Sequence, residues 1–273
     1  MILIPCLGAI LLLRWGEKGF RVIGVGGIGF VLSQVGHLPF NRFLLLPGLE
    51  WAGVDLAVQA GGSLWVLALA VGLSAGVFEE GARYLIFRFW LRGQEGSFLP
   101  WKYGVGHGGI EAIGTGLLVL YALVQVLALE NEGVLGGFPA DQAVLIRSQL
   151  EAYWAVPWQE ALLGAWERVS SLLFHLGASV FVYKSVRERK IIWLGVAVLG
   201  HTALNGFAVV AVGGMGLLLV ELLLFVVALV WVVWAWFVRP RFAPQAALVP
   251  PPSKPSLSSR QITIEQIEES RYE

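Results

Sequence analysis

Acidic, basic and imidazole side chains lie inside four segments of the chain that are otherwise apolar. An ionisable group is costly to place in a membrane-spanning helix, so such a group commonly marks a functional site. Within each segment the polar residues are four apart, which puts them on one face of a helix. The sets are Glu79 with Arg83 (and the adjacent Glu80), His107 with Glu111, His175 with Ser171 and Ser179, and His201 with Asn205. Carboxylates that activate water and imidazoles that bind metal ions together indicate hydrolytic chemistry.

Two mechanisms fit these residue types. In the first, Glu79 or Glu80 is the general base, and Arg83 keeps a neighbouring carboxylate ionised. Zn²⁺ binds His and carboxylate ligands and leaves one position open for water. The candidate metal ligands are His107, Glu111, His175 and His201. The second mechanism needs no metal, because a carboxylate activates water while His201 and Asn205 stabilise the oxyanion. Asn205 either contacts the substrate or orients His201.

Other polar residues in the apolar segments have structural interpretations. Ser171 and Ser179 are interpreted as packing residues rather than nucleophiles. His37 lies near the far end of its segment, so it is interpreted as an interfacial or structural residue. Glu221 stands alone in the last segment. It is interpreted either as a second polar contact or as a residue near the outer interface.

The composition is that of a membrane protein. Hydrophobic residues make up 57% of the chain and charged residues 14%, whereas a soluble domain carries about 25% charged residues. The net charge of zero gives no basic surface for nucleic acid, and the single cysteine, Cys6, excludes an intrachain disulfide or a cysteine metal cluster. Gly72 and Gly76 predict close helix packing.

Seven apolar segments predict an all-α, polytopic transmembrane bundle with its polar site between spans three to six. A spanning helix needs about 20 apolar residues. The segments are residues 2–13, 22–38, 63–91, 104–129, 165–186, 191–212 and 215–238. The first is too short to span, so either it enters the membrane only partway or residues are missing before it.

The number of lysine and arginine residues alternates between high and low in successive connections. One set of connections holds fifteen of these residues and the other holds three, Arg42, Arg147 and Arg168. The positive-inside rule then places the N-terminus outside and the C-terminus in the cytoplasm. The acidic connection 130–164 lies outside, where Trp154 and Trp158 are expected on a surface helix. Residues 1–239 form the bundle, and the Pro-rich residues 240–273 are expected to be a disordered cytoplasmic tail.

The depth of the polar residues predicts that they meet. Glu79, Glu111 and His175 each lie nine residues from the cytoplasmic-end charge of their segment, and His201 lies eleven residues from Lys190. At 1.5 Å per residue these positions are about 13–17 Å deep, although the helices alternate in direction. The sequence therefore predicts one shared site, which is expected to open toward the cytoplasmic side.

Several of these motifs resemble the YhfC family of bacterial membrane peptidases. The matching pieces are SQVGHLPFN, FEEGARY, KYGVGHGGIEAI, FHLGAS and HTALNG, within residues 20–210. More distantly, the EExxR and HxxxN patterns are similar to CAAX-protease-like and PrsW-like membrane proteases. Arg83 departs from the CAAX-type EExxxR spacing by one position, which leaves its role open.

The resemblance implies a multi-helix peptidase in which Glu79 or Glu80 activates water. It also implies that His107, His175, His201 and Asn205 polarise the scissile carbonyl or bind a metal. The expected activity is hydrolysis of a peptide bond in a membrane protein or lipidated peptide within the bilayer. The alternatives are an ion- or proton-coupled transporter and a catalytically inactive scaffold that binds membrane helices.

Overall fold

The computed structural model describes residues 19–57, 60–212 and 214–241, together with positions 3, 6–8 and 10. These described residues form nine α-helices and no β-strand. The helices are α1 (Gly19–Phe40), α2 (Leu46–Trp51), α3 (Gly62–Leu85), α4 (Leu99–Leu129), α5 (Glu132–Leu135), α6 (Ala140–Ala155), α7 (Trp158–Glu188), α8 (Ile192–Val212) and α9 (Leu217–Val238). Single π-helical turns, Asn41–Leu45 and Ile86–Trp90, follow α1 and α3.

Six helical stretches of the described chain are long and apolar enough to cross a membrane. They are Gly19–Trp51, Gly62–Trp90, Leu99–Leu129, Trp158–Glu188, Ile192–Ala211 and Leu217–Val238. They confirm the predicted all-α membrane bundle and correspond to the second through seventh apolar segments. The first segment, residues 2–13, lies largely outside the described residues, as does the predicted tail after Arg241, so the predicted domain boundary at 239/240 stays a prediction.

Two expectations about helix ends are wrong. Arg168 was assigned to a connection, but it lies inside α7, which starts ten residues earlier at Trp158. Its charge is tolerated within the span because Glu111 and Glu167 pair with it. Trp158 opens this spanning helix instead of sharing a surface helix with Trp154, which is the residue that α6 carries.

The bundle is built from pairs of closely packed helices. The main pairs are α3 with α8, α7 with α9, α1 with α4, and α4 with α7. Glycines allow these contacts: a Cβ atom on Gly72 would lie 2.7 Å from Thr202 O, and one on Gly76 would lie 2.8 Å from Val198 O. The prediction that Gly72 and Gly76 serve helix packing is thereby confirmed.

Candidate functional site

Four helices bring the predicted polar residues together in the interior of the bundle. Helix α3 supplies Glu79, Glu80 and Arg83, α4 supplies His107 and Glu111, α7 supplies His175, and α8 supplies His201 and Asn205. Glu80, Arg83 and His107 are completely buried, and Glu79, His175 and His201 nearly so. The predicted convergence is confirmed. The chemical role of each residue stays a prediction.

Glycines on α4 determine how close His175 comes to the cluster. A Cβ on Gly104 would lie 2.9 Å from His175 O, and one on Gly108 would lie 3.1 Å from His175 Cβ. Because both positions lack a side chain, α7 approaches α4 closely and the His107 and His175 ring centroids lie 4.8 Å apart.

Glu80 and Arg83 form a buried ion pair that anchors two imidazoles. Glu80 Oε1 accepts a hydrogen bond from His201 Nδ1 at 2.9 Å. Arg83 Nη2 donates to His175 Nδ1 at 3.0 Å. The sequence left open whether Arg83 pairs with Glu79 or Glu80, and the structure pairs it with Glu80.

Glu79 has a different set of partners, although it is the neighbour of Glu80. Its Oε2 lies 3.1 Å from His107 Nε2 and 4.0 Å from His201 Nε2. Its Oε1 accepts a hydrogen bond from Gln34 Nε2 at 3.0 Å. Glu79 therefore lies among imidazoles, whereas the guanidinium of Arg83 binds Glu80.

Glu111 links α4 to α7. Its Oε1 accepts hydrogen bonds from Arg168 Nη1 at 2.9 Å and from Ser171 Oγ at 3.1 Å. Its Oε2 lies 2.6 Å from His175 Nε2. The side chain of Glu111 is 20% exposed, which makes it more accessible than Glu79 or Glu80.

The buried donors suit a divalent cation. Glu79, His107 and His175 each offer one ligand atom, and these atoms lie within 4.8 Å of one another. His107 Nδ1 is buried and has no hydrogen-bond partner among the described residues. The carboxyl groups of Glu79, Glu80 and Glu111 outnumber the guanidiniums of Arg83 and Arg168 in this cluster, an excess of acidic groups that suits a bound cation. This ligand set contains Glu79, which the sequence interpretation assigned to catalysis.

A polar cavity of about 90 Å³ adjoins the cluster. Glu79, Glu111, His175, His201 and Asn205 line it together with residues of α7, α8 and Leu224 of α9. From His201 the lining continues to Asn205 and Ala208, toward the C-terminal end of α8. The lining extends away from the ends of α3 and α7 that carry Arg88 and Arg187, whereas the sequence predicted an opening toward those arginine-rich ends.

The sequence did not predict a role at the site for two contributing residues: Gln34 binds Glu79, and Arg168 binds Glu111. His37 lies farther from the cluster, where its Nδ1 is 3.2 Å from Gln34 Oε1. His37 also stacks on Phe78, which agrees with its structural interpretation. The signal for Gln34 was its position one turn before His37 on the same helix face.

Comparison with known proteins gives a family and one relative. The family model described as YhfC intramembrane metalloprotease matches residues 1–242. The chain is also 35% identical over 138 residues to "Uncharacterized membrane protein YhfC" of Bacillus subtilis (strain 168). That match covers 49% of this chain and 52% of the relative, so it spans about half the length of each. No solved structure matches the chain.

Proposed function

The chain belongs to the YhfC intramembrane metalloprotease family, and from this premise we propose that it hydrolyses a peptide bond of a membrane-associated protein or peptide. The observation that carries the proposal is the buried group of Glu79, His107 and His175, whose ligand atoms lie within 4.8 Å of one another. The group borders a polar cavity, so water can meet the ligands inside the bundle.

In this proposal Glu79, His107 and His175 hold the metal ion. The donor set of two imidazoles and one carboxylate is the kind that Zn²⁺ takes in catalytic sites, and His107 Nδ1 offers a buried atom without a partner among the described residues. When bound, the ion supplies Lewis-acid activation of water and of the scissile carbonyl. Gln34 fixes Glu79 through its hydrogen bond to Oε1.

Glu111 is the proposed general base, in place of the Glu79 or Glu80 expected from the sequence. Its carboxylate lines the cavity and is partly exposed, so it can reach a water molecule. Arg168 and Ser171 both donate to Oε1, which fixes the carboxylate at the cavity wall. The neighbouring His175 Nε2 orients Oε2.

Glu80 and Arg83 have a positioning role in this scheme. Both side chains are fully buried and bonded to each other, so neither reaches the cavity. Through Glu80 the pair holds His201, and through Arg83 it holds His175. Asn205 lies one turn beyond His201 on the cavity wall, where its amide can donate to the oxyanion of the substrate.

Metal content tests the proposed ligands. The chain has four histidines, and His37 is the one outside the cluster, which makes His37→Ala a matched control. Protein purified in detergent, without a His tag or chelator, should contain about one metal ion per chain by elemental analysis. The His107→Ala/His175→Ala variant should lose it, and His37→Ala should keep it. A metal retained by the double variant would refute these ligands.

Substrate trapping tests the hydrolysis. The Glu111→Gln variant should retain a membrane protein in the bilayer that the unchanged chain cleaves, since it keeps the metal ligands and loses the base. The matched control is Glu50→Gln, which changes an exposed carboxylate on the short helix α2. If the Glu111→Gln variant cleaved the captured protein at an unchanged rate, Glu111 would not be the general base.

A further inference from the structure

The polar cavity runs from the buried cluster toward one end of the bundle. On α7 its lining residues proceed from His175 back to Glu167, toward the start of the helix at Trp158. On α8 they proceed from His201 to Ala208, toward the end of the helix at Val212. Seven residues of helix span about 10 Å, so Ala208 lies about 10 Å from the level of His201. Both helices therefore place the cavity on the same side of the cluster.

Exposure of the lining rises in this direction. The side chain of Glu79 is 9% exposed, that of Glu111 is 20% exposed and that of Glu167 is 40% exposed. On α9, Glu221 is buried one turn before Leu224, which is the residue of this helix that lines the cavity. Glu221 Oε2 has no hydrogen-bond partner within the described part of the chain.

The opposite side of the cluster is closed. Arg83, Tyr103 and Phe181 are completely buried there. Phe87 packs between Tyr103 and Tyr183, with ring centroids 4.7 and 5.3 Å apart. These side chains separate the cluster from the end of the bundle at which α3 and α7 finish.

The two ends differ in charge. The closed end carries exposed arginines at and just beyond the C-terminal ends of α3 and α7, namely Arg88, Arg92, Arg187 and Arg189. The connection between α4 and α7, at the open end, carries only Arg147 among its lysines and arginines and holds several acidic residues. Under the positive-inside rule the open end faces away from the cytoplasm.

We propose that the cavity is entered from the membrane face on which the α4–α7 connection lies, the extracytoplasmic face. Its substrates are then proteins whose cleaved bond lies in the outer half of the bilayer or in the extracytoplasmic segment next to it. The substrate class rests on the proposed peptidase function. The direction of access rests on the position of the cavity and on the distribution of lysine and arginine, not on catalysis.

Single cysteines test the direction without any activity assay. The chain has one cysteine, so Cys6→Ser gives a cysteine-free background. Into it we would introduce Ser170→Cys, at a buried position that lines the cavity, and Ala208→Cys, nearer its mouth. Ser148→Cys on the exposed face of α6 and Ser97→Cys between α3 and α4 report the two membrane faces. Intact cells are treated with a small, membrane-impermeant methanethiosulfonate cation.

Ser148→Cys and Ala208→Cys should react in intact cells, and Ser170→Cys should react at least ten-fold more slowly by the same route. Ser97→Cys should react only after the membrane is permeabilised. Reaction of the cavity cysteines under the conditions that label Ser97→Cys would overturn the proposal, and so would no reaction of either cavity cysteine from any side. Because these outcomes do not depend on catalysis, an inactive chain with this labelling pattern would refute the peptidase and leave the entrance intact.

Discussion

Arg83 Nη2 lies 3.0 Å from His175 Nδ1, although 92 positions separate the two residues in the sequence. A guanidinium can only donate hydrogen bonds, so Nδ1 is the acceptor and the proton of the neutral ring resides on Nε2. That nitrogen lies 2.6 Å from Glu111 Oε2. Arg83 thus sets the tautomer of His175, and a metal ion bound by this imidazole would take the place of the guanidinium at Nδ1.

Replacing Arg83 should destabilise the bundle severely. Arg83→Gln leaves the completely buried Glu80 without its guanidinium partner, and breaking a buried ion pair from one side costs about 3–5 kcal/mol. The matched control is Arg187→Gln, which breaks the exposed pair with Glu95 and should cost about 0–1 kcal/mol. Thermal unfolding in detergent compares the two variants. Equal melting temperatures would show that the Glu80–Arg83 pair has no structural role.

Gln34 should control metal affinity without contacting the ion. Its Nε2 donates to Glu79 Oε1 at 3.0 Å, and loss of a group that orients a ligand lowers metal affinity about 10–100-fold. Gln34→Ala should show this loss in competition with a chelator. Gln125→Ala, which removes an exposed amide bonded to Tyr121 on α4, should bind as the unchanged chain does. Equal affinities of the two variants would argue against Glu79 as a ligand.

Counting residues along each helix predicted that these polar side chains meet, since the rise per residue is constant in any α-helix. That regularity placed Glu79, Glu111, His175 and His201 at one depth before any helix was positioned. It could not assign partners to Glu79 and Glu80, because consecutive residues point about 100° apart and the outcome depends on how α3 is rotated against its neighbours. Only the packing of α3 against α8 turns Glu80 toward His201.

The sequence also could not predict the direction from which the cavity is entered, or the partner of Arg168 within α7. Whether a buried cluster opens to one face depends on which side chains fill the other, and Tyr103, Phe87 and Phe181 are apolar or aromatic residues typical of any span. The count of lysines and arginines placed Arg168 in a connection, although it lies at the start of the predicted span 165–186. Its partner, Glu111, lies 57 positions away on α4, and a pairing over that distance has no local pattern.

Ser171 should position the proposed base, whereas Ser179 should not. The two serines lie one turn on either side of His175, but Ser171 Oγ donates to Glu111 while Ser179 Oγ donates to the backbone oxygen of His175 within its own helix. A hydrogen bond to a charged group contributes about 1.5–3 kcal/mol, so Ser171→Ala should lower kcat about ten-fold or more at unchanged KM.

The assay is hydrolysis of the protein captured by the Glu111→Gln variant. Ser179→Ala should keep the full rate, and Ser171→Thr should recover most of the loss because it restores a hydroxyl. A similar loss in both alanine variants would mean that the serines affect only the packing of α7, as the sequence interpretation had it.

Adding one carbon to Gly104 should separate ligand geometry from general stability. In α4 a Cβ at this position would lie 2.9 Å from both His175 O and Leu176 Cα, so the α7 backbone must move. Overpacking of this kind costs about 1–3 kcal/mol, and the shift carries His175 away from His107. Gly104→Ala should therefore weaken metal binding as well as lower the melting temperature.

The control is Gly114→Ala on the same helix, because a Cβ at this position has no atom within 4 Å. It should stabilise the chain by up to about 1 kcal/mol through helix propensity. If Gly104→Ala bound metal as tightly as Gly114→Ala, the close approach of α4 and α7 would not be what positions His175.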